Sequence, residues 1–237
     1  TTLYSMLTEA NRESVKIITV EDPVEYDLEG IIQIPVQEDI GVTYARVLRS
    51  ILRQDPDVIL VGEIRDQDTA RTAIEASLTG HLVFSTLHTN DAPGAVARLA
   101  DIGVQRFLIA SAVRAIIAQR LVRLLCKECK APVALSESEM RMLRIDNSQL
   151  AESNIMGPEG CDACRQGGYR GRLGLFEVFK IDDEVRHVIN ENLSTPQLRR
   201  RARELGMRTL REDGIRKVLA GTTSAAEVIA VTMSDAD

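Results

Sequence analysis

The chain has 237 residues, 44% of them hydrophobic, and 29 Lys and Arg against 35 Asp and Glu give a formal net charge of −6. That balance argues against a general nucleic-acid binder, which presents a basic face, and 3% aromatics with no Trp leave little for stacking on bases. No run of about 18 uncharged apolar residues occurs and no signal peptide opens the chain, so the expectation is a cytosolic protein without a transmembrane segment.

In the N-terminal part, short apolar runs alternate with helical patterns. Residues 16–20 and 31–36 are predicted strands and 44–53 a helix. Val58–Val61 and residues 82–84 are predicted strands joined by a helix at 68–78. Such alternation specifies an α/β fold with buried parallel strands, and its ligand crevice lies beyond their carboxyl ends. Residues 104–125 read as one amphipathic helix, interrupted by Arg106, Arg114, Arg120 and Arg123. The texture changes at Cys126: up to residue 174, paired cysteines, prolines, glycines and a polar insert surround a short helix at 137–143. Residues 173–179 are a predicted strand. The rest is helical, at 183–190, at 195–205 with Thr195 as cap and Pro196 first inside, at 208–220 before Gly221, and at 224–232. Three domains are therefore expected: an α/β core at 1–125, a cysteine-bearing insertion at 126–174, and a C-terminal strand with helices at 175–237.

All four cysteines fall in two CxxC pairs, Cys126 with Cys129 and Cys161 with Cys164. A CxxC turn sets two thiolates on one side of a metal, and two such knuckles complete a tetrahedral Zn2+ site. A closed four-thiolate site holds structure and leaves no position open for chemistry. The alternatives are two redox pairs or four buried thiols.

Polar groups gather at the predicted strand ends. Glu21, Asp22 and Glu25 follow the first strand, Glu63 follows the third, and His88 lies among Thr86, Thr89, Asn90 and Asp91 after the fourth. Carboxylates there can hold Mg2+ through water or position an attacking water, and His88 is placed to sense a phosphate. The first acidic turn alone also fits a solvated loop ended by Pro23. Arg46, Arg49 and Arg53 share one helix face; Arg65 follows Glu63 and Arg98 lies downstream of His88. Either these arginines form a solvated basic face or they meet transferring charge. The group Arg199, Arg200, Arg201 and Arg203 reads as solvated helix surface.

Together, ITVEDPVEY, LRQDPDVILVGEIRD, TGHLVFSTLHTNDAPGA, and the CxxC pairs before GYRGRLG closely resemble the motifs of the secretion ATPase superfamily of type II secretion and type IV pilus assembly. The resemblance covers nearly the whole chain, and its final segment is most similar to the type II branch. It implies a RecA-like P-loop ATPase core with a tetracysteine zinc insertion, using ATP, Mg2+ and Zn2+. By position, Glu63 matches the Walker B glutamate, Glu21 the catalytic acid of the Asp box, and His88 the His-box residue near the γ-phosphate. Arg49, Arg53, Arg65 and Arg98 match arginines at nucleotide contacts and subunit interfaces, and Arg172 one that reaches the nucleotide from the metal-containing region. Gly62 stands where many P-loop proteins carry the Mg2+-binding Asp. The resemblance further implies a homo-hexamer, cytoplasmic and peripheral to the inner membrane through platform proteins, that drives pseudopilus assembly and protein export. The type IV pilus extension motor is the close alternative, and a non-catalytic zinc-containing interaction module is an alternative of another class. The family's GxxxxGK[ST] loop precedes a segment like Thr1–Ser5, so the chain is expected to start just after the phosphate cradle, and by itself neither to hydrolyse ATP nor to bind it tightly.

Overall fold

The computed structural model describes residues 2–150 and 153–233. Thr1, the position said to follow the phosphate-binding loop, lies outside them. The chain divides into two compact units. One contains Thr1–Thr89, Pro93–Arg114 and Ile181–Arg199; the other contains Asn90–Ala92, Ala115–Lys180 and Arg200–Asp237.

In the first unit α1 (Thr2–Ala10) precedes β1 (Ile17–Glu21) and β2 (Ile31–Pro35). Next come α2 (Tyr44–Ile51), β3 (Val58–Val61), α3 (Gln67–Leu78) and β4 (Leu82–Ser85). The four strands form one parallel sheet in the order β2-β1-β3-β4. Every residue of β1 and β3 is buried, as expected for central parallel strands covered on both faces. Tyr4 and Leu7 of α1 pack on Ile17, Val58 and Leu60, with Leu28, Ile31 and Phe84 around them. Full burial of each such aliphatic side chain contributes roughly 1.5–3 kcal/mol. At the sheet edge β4 is more open, with Leu82 45% exposed. Local caps set the helix starts: the Thr43 side chain accepts from the Arg46 amide, and Asp66 accepts from that of Thr69 at 2.8 Å. The unit continues through α4 (Ala92–Asp101), of which Ala92 belongs to the second unit, and α5 (Arg106–Ala112).

Residues 104–125 are not one helix. Val113 is extended, at φ −75° and ψ 131°, and β5 (Ala115–Leu125) follows. Its alanines, leucines and arginines suit a helix, but pairing with a partner strand overrides that local preference. The compact units therefore change at Ala115, well before the change of texture at Cys126.

The second unit continues with β6 (Ala131–Pro132), α6 (Glu137–Leu143), α7 (Asn147–Leu150), β7 (Met156–Gly157) and β8 (Tyr169–Lys180). β8 is longer than the predicted strand and runs antiparallel to β5, from Ala115 opposite Lys180 to Leu125 opposite Tyr169. β6 and β7 form a small antiparallel pair. α8 (Asp183–Asn190) lies in the first unit, α9 (Thr195–Glu204) spans the division, and α10 (Leu210–Leu219) and α11 (Ala225–Thr232) pack on the ribbon of the second. Thr195 is already inside α9; Ser194 precedes it, its backbone and hydroxyl both donating to Gln197 Oε1. Among the described residues no helix is long and apolar enough to cross a membrane.

Candidate active site and cysteine cluster

The parallel register puts the carboxyl ends of β3 and β4 side by side, with Val61 opposite Ser85. Two hydrogen bonds hold the segments beyond them together: the Ile64 amide donates to Thr86 O at 3.0 Å, and Thr86 Oγ1 donates to Gly62 O at 2.7 Å. This brings Glu63 and His88 into contact, with His88 Nε2 3.0 Å from Glu63 Oε2. Arg65 pairs with the other oxygen of the same carboxylate. The Glu63 side chain is 12% exposed, whereas those of His88 and Arg65 are 81% and 62% exposed. Burial pushes the Glu63 pKa up, but the hydrogen bonds and charges of Arg65 and His88 outweigh it and hold the carboxyl below its ordinary value. The result is an ionised carboxylate beneath two largely exposed cationic or polar groups, able to order a water and accept its proton.

Gly62 has no room for a side chain. A Cβ there would lie 2.9 Å from Tyr44 Oη and 3.2 Å from Val20 O. The Tyr44 ring therefore fills the space that an aspartate at this position would need. Tyr44 is buried, and its phenol is pushed up to about 12 by burial first and then by Glu63, Asp22 and Glu21. It stays a neutral hydroxyl between the acidic strand ends.

Glu21 ends β1 and is only 4% exposed. Its carboxylate accepts from Thr19 Oγ1 at 2.6 Å, Gln33 Nε2 at 3.1 Å and the Tyr4 hydroxyl. Tyr4 in turn meets the Tyr26 ring edge-to-face at 4.6 Å. Burial, then the hydrogen bond to Glu21, raises the Tyr4 pKa. These donors satisfy a carboxylate that would otherwise be costly to bury.

Of the matched arginines, Arg65 meets Glu63. Arg49 approaches Asp68 at 3.6 Å, and Arg53 donates to Arg49 O at 3.1 Å along the same helical segment. Arg98 is exposed in the last turn of α4. Arg172 is exposed on β8, in the second unit, with Arg123 as its cross-strand neighbour. Sequence reasoning missed Tyr44, Tyr4 and Gln33, since an isolated polar residue in an apolar pattern carries no spacing signal.

The four cysteines converge. Their sulfurs lie within 4.8 Å of one another, at 3.9 Å for Cys126–Cys161 and 3.8 Å for both Cys129–Cys164 and Cys161–Cys164. Zn–S bonds of about 2.3 Å in a tetrahedron put sulfurs about 3.8 Å apart, so the cluster has the dimensions of a metal cage and not of disulfides. The Cys126 amide donates to Gly168 O at 3.0 Å, joining the two knuckles. Gly168, at φ +71°, is required here because a Cβ would meet that of Pro158 at 2.4 Å. The Cys161 and Gly168 amides both donate to Cys164 Sγ at 3.2 Å. Burial works against ionisation of Cys164, yet hydrogen bonds bring it down to about 7, while burial pushes Cys129 up to about 12. Amides aimed at sulfur suit thiolate ligands.

A model of the type II/IV secretion system protein family matches residues 1–230. The chain is 49% identical over 235 residues to the type II secretion system protein E of Pseudomonas aeruginosa, covering 99% of this chain and 46% of that one. It is 44% identical over 232 residues to the type IV pilus assembly ATPase PilB of Thermus thermophilus, covering 98% and 26%. It thus spans less than half the length of these curated relatives. The crystal structure of the pilus retraction motor PilT with bound ADP is 29% identical, with a TM-score of 0.71, over 98% of this chain and 57% of that one. The Legionella pneumophila ATPase DotB, 22% identical with a TM-score of 0.68 over 99% and 56%, shares the fold. The expected α/β architecture is that of these structures.

Proposed function

The chain belongs to the type II/IV secretion system protein family, and we propose that it is part of a motor ATPase coupling ATP hydrolysis to pseudopilus assembly and protein export in type II secretion. The observation that carries this reading is the partly buried Glu63 carboxylate in contact with His88 where β3 and β4 end together. In the proposed reaction Glu63 orients a water and takes its proton as the water oxygen attacks the terminal phosphorus, and ADP leaves. His88 and Arg65, both largely exposed, are free to turn toward phosphate oxygens. Glu21, held by its donors, ends the neighbouring strand β1. Mg2+ brought by the nucleotide would supply neutralisation of phosphate charge. Arg49, Arg53, Arg98 and Arg172 are proposed as contacts to nucleotide or to neighbouring subunits of a homo-hexamer.

We further propose residues 126–174 as a metal-binding insertion holding one Zn2+ through Cys126, Cys129, Cys161 and Cys164. The assembled motor would lie on the cytoplasmic side, docked on inner-membrane platform proteins. Identity to a type II relative exceeds that to the type IV pilus relative, which favours type II; pilus extension is the second reading. The deciding experiment uses the full-length gene product. Glu63→Gln should abolish steady-state phosphate release while binding of an ATP analogue persists, since Glu63 adds little to ground-state affinity. Hydrolysis near the parental rate would remove Glu63 from the mechanism.

A further inference from the structure

Tyr4 on α1 brings a hydroxyl to the end of β1, where it and Glu21 are both buried, at 5% and 4% exposure. That hydroxyl accepts from the Glu25 amide at 3.2 Å and from Gln33 Nε2 at 3.3 Å. Its two lone pairs are thereby taken, and its single proton goes to Glu21 Oε2. Gln33 is oriented in the same way. Its Oε1 accepts from the Leu28 amide at 2.7 Å, so Nε2 is the end that faces Glu21 Oε1, at 3.1 Å. Thr19 Oγ1 donates to the same oxygen at 2.6 Å. The neighbours of Tyr4 and Gln33 thus force the direction of both bonds, and both end on the one carboxylate.

The donors come from α1, β1 and β2, and every residue involved lies in the first compact unit. We propose that Tyr4 and Gln33 are positioning residues for Glu21: they hold its carboxylate in one orientation at the carboxyl end of β1. An acid locked by such partners stays in a single geometry, and losing one donor frees both an oxygen and a rotation. The Tyr4 ring is itself braced, edge-to-face on Tyr26, so its hydroxyl has a fixed origin. The consequence for hydrolysis rests on the ATPase reading given above, with Glu21 as its second acid; the geometric claim does not.

The test uses the full-length gene product. Tyr4→Phe removes the hydroxyl and keeps the ring on Tyr26, so it isolates the hydrogen bond. Carboxyl labelling with a carbodiimide and an amine, read by mass spectrometry, should then modify Glu21 about tenfold faster than in the parent. Glu75, exposed in the same unit, and Glu177, 3% exposed in the other, should keep their parental rates. Gln33→Met, on the edge strand β2, withdraws the second donor and should act in the same direction. It carries the test should Tyr4→Phe fail to fold. Glu21 labelled at its parental rate, or Glu177 released along with it, would overturn the proposal. Kinetics supply a second readout. Tyr4→Phe should lower kcat about tenfold at nearly constant KM, yet cost nothing further in a Glu21→Gln background, because it acts through that acid. Equal losses in both backgrounds would make Tyr4 an independent contributor and overturn its positioning role. Full activity of Glu21→Gln alone would remove Glu21 from hydrolysis, and an active Glu63→Gln would overturn the hydrolytic reading itself; both leave the labelling result intact.

Discussion

Glu227 on α11 holds Arg123 on β5, 104 residues away, at three points: its Oε2 accepts from the Arg123 amide at 2.7 Å, and its Oε1 from Nε at 3.0 Å and Nη2 at 2.7 Å. The same guanidinium lies 4.1 Å from the centre of the Tyr169 ring, and Thr223 Oγ1 donates to Arg123 O at 2.8 Å. One arginine therefore joins β5, β8 and the last helix of the second unit.

Glu227→Gln should lower the thermal midpoint by a few degrees, because the amide cannot serve a fork of donors as a carboxylate does. The Arg123 hydrogen bonds hold the Glu227 pKa below its ordinary value against an opposing effect of burial. A depressed folded-state pKa means that this stabilisation is fully present above the unfolded carboxylate pKa and is lost as pH falls through the lower folded value. Thermal melts of the two proteins should therefore converge on acidification below the usual carboxylate range. A constant difference down to that range and beyond would refute the linkage.

Arg65 should set the acid limit of hydrolysis. It is the first of the groups that lower the Glu63 pKa against burial, so Arg65→Ala leaves burial less opposed and raises that pKa. In the full-length protein the acid limb of the kcat/KM profile should then move to higher pH, with activity lost at mildly acid pH and largely retained above it. A profile that falls uniformly at every pH would assign Arg65 to substrate binding instead.

Much of this site was legible because its signals are local. Val58–Val61 followed by Gly62 and Glu63 reads as a buried strand with an acid at its end, and the structure builds it so. The two CxxC pairs likewise carry their geometry in their spacing, and the sulfurs converge. One strand of the ribbon, β5, was illegible for the opposite reason, whereas residues 173–179 of β8 were expected as a strand. Ala115–Leu125 has a composition that suits a helix, and only the register with β8 makes it a strand. Tyr44, Tyr4 and Gln33 matter through partners distant in sequence, so no window of sequence announces them.

Removing metal should loosen one part of the molecule before the rest. The cysteine cluster ties the end of β5 to the start of β8, and the Lys130 ammonium donates to Gly221 O at 2.8 Å close by. Elemental analysis should give about one zinc per chain, and Cys161→Ser should lose it. Stripping with a strong chelator should lower the thermal midpoint on the order of 10 °C, and amide exchange should rise first within residues 126–174. Purified protein without zinc, or a Cys161→Ser variant with full metal content, would disprove the assignment.

The close approach at Gly62 yields a double-mutant test of why that strand end has no side chain. Gly62→Ala puts a methyl 2.9 Å from Tyr44 Oη and 3.2 Å from Val20 O, closer than carbon and oxygen tolerate, and neither the rigid ring nor the β1 carbonyl can withdraw freely. Overpacking of this kind costs about 1–3 kcal/mol. Tyr44→Phe removes only the nearest atom, leaving Cε1 at 3.4 Å, an ordinary contact distance. The second substitution should therefore recover part of the loss, and the carbonyl contact should keep the recovery incomplete. Denaturant titration of the parent, both single variants and the double variant supplies the cycle, with a coupling of about 0.5–2 kcal/mol expected for groups in contact. If the two effects simply add, the Tyr44 hydroxyl is not what excludes a side chain from Gly62, and the Val20 carbonyl is left as the controlling neighbour.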